Sequence, residues 1–86
     1  MTNQMIKIEI QAFAAAADAM ATRHEIRELA MNATVQDAWN NLLETCPGLG
    51  PLEDTIAFAC NDQLVPRHAI LQDGDQLSLL PPVSGG

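Results

Sequence analysis

The chain has 86 residues and a formal net charge of −7. A chain of this length folds as one domain with a small core, which favours a carrier or binding module over an enzyme whose own walls enclose a substrate. Its four Lys and Arg residues cannot neutralise several phosphates at once, which argues against a nucleic-acid partner and fits a basic protein partner or simply a soluble surface.

The first third of the chain predicts two strands separated by an alanine-rich segment. Residues 6–11 alternate apolar and polar side chains, which is the period of a half-buried strand. Residues 12–21 are mostly alanine and predict a short helix or a loop. Residues 24–29 predict a second strand that pairs back on the first. Because Ile26 and Leu29 are three positions apart and cannot share one face of a regular strand, we expect a bulge or an early strand end.

The main helix is predicted after Thr34. Thr34 is a good N-cap residue, and Asp37 stands at the position of a capping-box acid. Pro47 and Gly48 end the helix, because proline cannot continue it and glycine tolerates the turn that follows. The apolar residues between these limits form one stripe at helical spacing: Val35, Ala38, Trp39, Leu42, Leu43 and Cys46.

Three further strands are predicted in the second half of the chain. Residues 55–60 and 63–65 flank an Asn61-Asp62 hairpin turn, and the second of these strands should stop at Pro66. After a turn at residues 73–75, residues 76–80 form the last strand. Its Leu77 and Leu79 should point inward, and Leu80 should lie on the opposite face.

This order of elements predicts an α+β fold in which a mixed sheet packs on one main helix, with Trp39 at the centre of the core. The two cysteines, Cys46 and Cys60, form no C-x-x-C pair and predict buried packing and no metal site. His24 and His68 have no nucleophile near them in sequence, so we expect neither to be catalytic. No apolar run approaches the roughly 18 residues of a membrane span, so we expect no membrane contact and a cytoplasmic protein.

The last six residues carry the functional prediction. Two prolines cannot donate to a sheet, so pairing should stop after residue 80, leaving a domain of residues 1–80 and an extended, flexible tail of residues 81–86. The two terminal glycines lack side chains and can enter a narrow channel in a partner. The simplest alternative is a frayed terminus without function. The tail reads Pro81, Pro82, Val83, Ser84, Gly85 and Gly86.

This ending resembles a known family. A strand ending in Leu-Leu, followed by Pro-Pro-Val-Ser-Gly-Gly, is similar to the end of the molybdopterin synthase small subunits, which are ubiquitin-like β-grasp sulfur carriers. The helix after Thr34-Val35, the Asn61-Asp62-Gln63 hairpin and the Asp73-Gly74-Asp75 turn follow in the family's order. The resemblance implies a β-grasp fold.

The resemblance also implies a chemistry for Gly86. An ATP- and Mg-dependent adenylating (E1-like) partner would convert the Gly86 carboxylate to an acyl-adenylate, and a sulfur donor protein would convert that to a thiocarboxylate. The thiocarboxylate would donate sulfur to a pterin precursor in the pocket of the large synthase subunit, in a heterotetramer, as a step of molybdenum cofactor biosynthesis. The chain itself would bind no cofactor, and the large subunit would supply the catalytic side chains.

The same resemblance assigns roles to the residues before Gly86. Residues 81–85 would insert into the partner's pocket. The orientation of Leu80, away from Leu77 and Leu79, further suggests that Leu80 and Val83 dock in apolar hollows of both partners. The alternative is that Leu80 is a single exposed leucine without a function. Two other functions remain open: a sulfur carrier for thiamine or cysteine synthesis, and a protein modifier that forms isopeptide bonds through Gly86.

Overall fold

The computed structural model describes residues 4–82, which form one five-stranded mixed sheet and two α-helices on one of its faces. The strands are β1 (Met5–Ala12), β2 (His24–Ala30), β3 (Ala57–Cys60), β4 (Gln63–Val65) and β5 (Gln76–Leu80). The helices are α1 (Ala14–Met20) and α2 (Val35–Thr45), and a 3₁₀ helix (Pro47–Leu52) follows α2.

The sheet has the strand order β2-β1-β5-β3-β4. The first and last strands are parallel neighbours in its centre, and the other pairs are antiparallel. A mixed sheet of this order beneath a main helix is the β-grasp arrangement that the sequence predicted.

The core lies between the sheet and the helices. Trp39 is completely buried at its centre, as predicted, and its ring meets that of Phe58 edge to face with 5.7 Å between the ring centroids. The inward residues of β1 and β5 belong to the same core: Ile6, Ile8, Ile10, Ala12, Leu77 and Leu79.

Helix α2 begins and ends where the sequence predicted. The Thr34 hydroxyl accepts from the Asp37 N–H at 3.1 Å, and the Asp37 carboxylate accepts from the Thr34 N–H at 2.9 Å, which completes a capping box. The residue after its last turn is Cys46, and Pro47 follows. The 3₁₀ helix after this point was not predicted, because its Pro- and Gly-rich sequence indicated only a loop.

Residues 14–20 form a helix, which resolves the choice left open between a helix and a loop. Ala16 and Met20 are buried against the core, whereas Phe13 remains 47% exposed. An alanine-rich helix is stable here because its small side chains allow close approach to the core.

The prediction of a bulge or an early end in β2 was wrong. The pairing of β2 with β1 runs without interruption from Met5 opposite Ala30 to Gln11 opposite His24. Ile26 lies on the outer face, so it does not need to share a face with Leu29. The inward row is Glu25, Arg27 and Leu29, and the Arg27 guanidinium donates to Asn41 at 3.1 Å and to Thr45 at 2.8 Å on α2. An arginine therefore occupies an inward position of β2, where the alternation of a half-buried strand leads one to look for an apolar residue.

Both predicted turns are present. Asn61 and Asp62 have φ values of 51° and 71°, which is the backbone of a tight hairpin turn between β3 and β4. Gly74 has a φ of 89°, which favours glycine in the turn before β5.

Candidate functional site at the end of the last strand

Strand β5 is paired on both sides along its length. It pairs with β1 from Glu9 opposite Gln76 to Ala12 opposite Leu79, and with β3 from Cys60 opposite Leu77 to Ala57 opposite Leu80. The end of the chain therefore leaves the centre of the sheet, not an edge.

The pairing stops where the sequence predicted. Leu80 is the last residue of β5, and Pro81 cannot donate a further ladder hydrogen bond. Pro81 is partly buried and Pro82 is exposed. The predicted tail-insertion residues Val83, Ser84 and Gly85, and the predicted reactive residue Gly86, lie outside the described residues.

Leu80 has the orientation that was predicted. It lies on the face of β5 opposite Leu77 and Leu79, which are fully buried, and it is itself only partly buried. Ser78 shares the outer face with Leu80 but is 8% exposed, so this face is more covered near the strand centre than alternation alone suggested. The role of Leu80 in docking stays a prediction.

A hollow lies on the β1 side of the strand end. It has a volume of about 490 Å³ and is lined at the end of β1 and the start of α1 and β2. We name it the Phe13 hollow, because the half-exposed Phe13 ring is its largest apolar side chain. The other lining residues are Gln11, Ala12, Ala14, Arg23 and His24.

A second hollow lies on the β3 side. It has a volume of about 440 Å³, and we name it the Leu64 hollow after a side chain that is 75% exposed on β4. Its lining includes Ala57, which is opposite Leu80, and it continues through Ile56, Phe58, Val65, Pro66 and Arg67. The strand end is thus flanked by two open, largely apolar hollows.

Each hollow contains one arginine. Arg67 donates to Oε2 of Glu53 at 2.5 Å, and its guanidinium carbon lies 5.2 Å from the centroid of the Phe58 ring. Arg23 forms no ion pair within residues 4–82. A partner that approaches the strand end therefore meets two of the four basic side chains of an acidic chain.

One of the two cysteines lies beside β5: Cys60 is opposite Leu77 in the pairing of β3 with β5. Burial, followed by the nearby Asp75 carboxylate, raises the pKa of the Cys60 thiol to about 11, so this thiol stays protonated at neutral pH. Cys46 and Cys60 are both free and partly buried. His24 lies 3.7 Å from a Glu9 carboxylate oxygen on the outer face of the sheet, which is a surface contact.

Within the described part of the chain, no three His, Cys, Asp or Glu side chains come together as a metal site would require. In the same part, neither α-helix has the length or the apolar character needed to cross a membrane.

The sequence predicted the strand end but not its surroundings. The positions of the two hollows on either side of the strand end depend on which strands are neighbours of β5, and Phe13 and Ala57 are far apart along the chain. The signals that could have indicated them are the large apolar side chains next to turn residues, Phe13 after β1 and Leu64 after the hairpin turn.

Comparison with known protein families shows to which family the chain belongs. The model of the ThiS family matches residues 10–86, which includes all of β5, Pro81 and Pro82. The chain belongs to the ThiS family. The resemblance stated from the Pro-Pro-Val-Ser-Gly-Gly ending is thereby confirmed for nearly the whole chain.

Relatives of this ThiS-family chain include proteins named molybdopterin synthase sulfur carrier subunit. The chain is 27% identical over 85 residues to the molybdopterin synthase sulfur carrier subunit of Homo sapiens, and the match covers 95% of this chain and 97% of the human protein.

Solved structures confirm the β-grasp fold. The crystal structure of small archaeal modifier protein 1 from Haloferax volcanii superposes with a TM-score of 0.84 at 30% identity, covering 93% of this chain and 99% of that one. A chain in the complex of subunits 1 and 2 of the molybdopterin-converting factor from Helicobacter pylori superposes with a TM-score of 0.67 at 27% identity, covering 94% of this chain and 100% of that one.

Proposed function

We propose that this chain is a sulfur carrier that donates sulfur from Gly86 to a pterin precursor within a molybdopterin synthase. The observation that carries the proposal is the end of β5: a strand paired on both sides stops at Leu80, and the sequence continues through two prolines to two glycines. The names of the curated relatives support the pathway.

The first step is activation of the Gly86 carboxylate. A C-terminal carboxyl group has a reference pKa of about 3.3–3.7, so it is ionised at neutral pH and is a poor electrophile. Attack of this carboxylate on the α-phosphate of ATP gives an acyl-adenylate and releases pyrophosphate. An adenylating partner supplies the ATP and Mg²⁺ site.

The second step replaces oxygen by sulfur. The terminal sulfur of a persulfide on a sulfur donor protein attacks the acyl carbon, forming a C–S bond as AMP leaves. A thiol then attacks the donor's inner sulfur and cleaves the persulfide S–S bond, which leaves a thiocarboxylate on Gly86 and a disulfide on the donor. Sulfur is soft and polarisable, so the thiocarboxylate is a good nucleophile toward a carbon of the pterin precursor. Hydrolysis of the resulting thioester would return the Gly86 carboxylate and leave the sulfur on the pterin, and two such transfers would build a dithiolene.

In these steps this chain positions the Gly86 carboxyl group, and the partners supply the catalytic side chains. Glycine at positions 85 and 86 lets the main chain enter a channel in which a Cβ would clash. Residues 81–84 would span the distance from the sheet to the reacting atoms. Leu80, the Phe13 hollow and the Leu64 hollow would contact the partner surface around the entrance of the channel.

The proposed partners are the large synthase subunit, an E1-like adenylating enzyme and a sulfur donor protein, all in the cytoplasm. The Helicobacter pylori structure, which is a complex of two converting-factor subunits, supports the first of them. The heterotetramer belongs to the same proposal.

Sulfur loading of the full-length chain tests the proposal. The protein is incubated with the adenylating partner, ATP, Mg²⁺ and a persulfide donor, and its intact mass is measured. We expect exchange of one oxygen for sulfur in the wild-type chain and none after deletion of Gly86. The mass before the reaction also tests whether Gly86 is the terminal residue of the mature protein, which the proposal requires.

A matched pair of glycine variants controls the experiment. Gly86→Ala adds a Cβ at the reacting residue and should strongly reduce loading, whereas Gly50→Ala adds one where no other atom lies within 4 Å and should load normally. Thermal unfolding should be the same for the Gly86 variants and the wild type. Normal loading of the chain that lacks Gly86 would refute the proposal.

A second candidate function is protein modification through the same glycine. The similarity to small archaeal modifier protein 1, at 30% identity, favours it. The same reaction mixture, supplemented with cell extract, separates the two: adducts joined to lysines of other proteins indicate a modifier. Addition of the large synthase subunit and the pterin precursor distinguishes a molybdopterin carrier from a carrier for thiamine or cysteine synthesis, since only the first would be consumed.

A further inference from the structure

Strand β2 is an edge strand of unusual regularity for its position. It lies at the end of the sheet opposite β4, and its seven residues pair with β1 without a bulge. Natural edge strands are commonly short, bulged or covered, because an exposed row of backbone groups can pair with another strand. No other strand within residues 4–82 pairs with the outer edge of β2.

The backbone groups on this edge can be assigned from the pairing with β1. The Ala12 N–H donates to the Arg23 carbonyl at 2.9 Å, and the Met31 N–H donates to the Gln4 carbonyl at 3.2 Å. Hydrogen-bonded pairs alternate along an antiparallel ladder. The backbone N–H and C=O groups of the odd-numbered residues of β2 therefore bond to β1, and those of the even-numbered residues point toward the free edge. Ile26 and Glu28 therefore present their N–H and C=O groups to the free edge.

The backbone N–H and C=O groups of His24 also face the free edge, where they contact the Thr22 side chain. The Thr22 hydroxyl donates to the His24 carbonyl at 3.0 Å and accepts from the His24 N–H at 3.3 Å. A carbonyl oxygen can accept a second hydrogen bond, and the longer contact to the N–H is easily replaced. Five consecutive residues, 24–28, are thus available for pairing.

The side chains of these residues are complementary to a second copy of themselves. When Ile26 lies opposite Ile26 of another copy in antiparallel orientation, Glu25 lies opposite Arg27 and His24 lies opposite Glu28. Unlike charges are then opposed on the inner face, and a histidine is opposed to a carboxylate on the outer face. The outward backbone groups of even-numbered residues also meet each other in this register.

Neighbouring registers with the same backbone parity are unfavourable. A shift by one step in one direction places Arg27 opposite Arg27, and a shift by one step in the other direction places Glu25 opposite Glu25. Like charges directly opposite each other destabilise a strand pair. The charge pattern therefore selects one register for self-pairing.

The exposure of Ile26 agrees with this arrangement. Its side chain is 50% exposed between the Lys7–Glu28 contact and the Glu9–His24 contact on the outer face. Pairing in the selected register would bring the two Ile26 side chains of a dimer together and remove apolar surface from water.

We propose that β2 is a self-association edge, through which two copies of this chain form an antiparallel dimer with Ile26 opposite Ile26 and a continuous sheet. The edge lies on the side of β1 away from β5, so both strand ends at Leu80 remain accessible to other proteins. A two-fold axis relates the two copies, so their β5 strands run in opposite directions. The proposal does not depend on the function of Gly86.

Sedimentation equilibrium of the full-length chain tests the dimer. A contact along one strand edge is small, so the dissociation constant should fall between about 10 μM and 1 mM at about 0.15 M salt. Ile26→Lys places two ammonium groups opposite each other and should raise the dissociation constant by about tenfold or more. Leu64→Lys, the same kind of change on the opposite edge strand, should leave it unchanged.

Cysteine cross-linking tests the register. In a background of Cys46→Ala and Cys60→Ala, Ile26→Cys should form a disulfide-linked dimer on mild oxidation. Opposed residues of a hydrogen-bonded pair have Cα atoms about 5.5 Å apart, within the range of a disulfide. Glu28→Cys should not cross-link, because the two residues 28 would be four positions, or about 13 Å, apart along the strands. Circular dichroism confirms folding of each variant beforehand.

The possible results separate the alternatives. A wild-type chain that remains monomeric to about 1 mM overturns the proposal, whether or not the edge later proves to bind a strand of a different protein. A dimer that Leu64→Lys disrupts as strongly as Ile26→Lys uses another surface and also overturns it. Cross-linking through position 28 instead of 26 contradicts the register.

Discussion

The polar group around Trp39 shows how single residues stabilise a small core. The indole Nε1 donates to Oε1 of Glu53 at 2.6 Å, and Arg67 donates to the other carboxylate oxygen and to the Glu53 carbonyl. Arg67 also donates to the Gln36 side chain at 3.1 Å. One carboxylate thus links the buried tryptophan, the segment after the 3₁₀ helix and the segment after β4, with its two oxygens satisfied.

This carboxylate should give the protein a defined pH dependence. The hydrogen bond from Trp39, and then the hydrogen bond and the charge of Arg67, outweigh desolvation and hold the pKa of Glu53 below its ordinary value of 4.5. A group with a lowered folded-state pKa stabilises the fold above its unfolded-state pKa and loses that contribution as the pH falls through its folded-state pKa. We therefore expect Glu53→Gln to lower the free energy of unfolding at pH 7, and the difference from wild type to shrink below pH 4.5.

Urea unfolding followed by Trp39 fluorescence at pH 7 and pH 3 measures this difference. Glu44→Gln is the matched control, because Glu44 is exposed on α2 and should show little effect at either pH. A loss of stability in Glu53→Gln that is equal at both pH values would contradict the assignment to the ionised carboxylate.

At the scale of elements, most boundaries could be predicted because they depend on local chemistry. The capping box fixed the start of α2, Asn61-Asp62 fixed the hairpin turn, and Pro66 and Pro81 marked strand ends. The face of β2 could not be predicted in this way. Apolar periodicity assumes that inward positions are apolar, whereas Arg27 points inward and reaches Asn41 and Thr45 on a helix that follows later in the chain.

Helix α2 should depend measurably on its first turn. Thr34→Ala removes the hydroxyl that accepts from the Asp37 N–H and should lower the free energy of unfolding by about 1 kcal/mol. Thr55→Ala serves as the control, since the Thr55 side chain is exposed and its contact with the Leu52 carbonyl is long, at 3.5 Å. Equal midpoints in urea for both variants would show that the capping box contributes nothing.

At the scale of the whole molecule, the strand order determines what surrounds the candidate site. The sequence predicted a functional tail after residue 80, because prolines and glycines have local meaning. It could not predict that the Phe13 hollow and the Leu64 hollow lie on the two sides of this strand end, because that requires β5 to lie between β1 and β3. That placement depends on a parallel pairing between the first and last strands of the sheet, which no local pattern encodes.

Two adjacent leucines should separate folding from partner binding. Leu79 is fully buried, and Leu79→Ala should cost about 2–5 kcal/mol of stability. Leu80 is only partly buried, so Leu80→Ala should cost less stability but raise the KM of the chain in the adenylation reaction, measured as pyrophosphate release. If Leu80→Ala leaves the KM unchanged, Leu80 does not contribute to docking.

The parallel pairing of β1 with β5 also has a consequence during protein synthesis. Four residue pairs, Glu9–Gln76 through Ala12–Leu79, join β1 to a strand that is translated after all the other strands of the sheet. A nascent chain that lacks β5 has no centre for its sheet and exposes the inner edges of β1 and β3. Closure of the core therefore waits until β5 has left the ribosome, and a product that terminates before β5 would be a substrate for proteases before it could ever compete for partners.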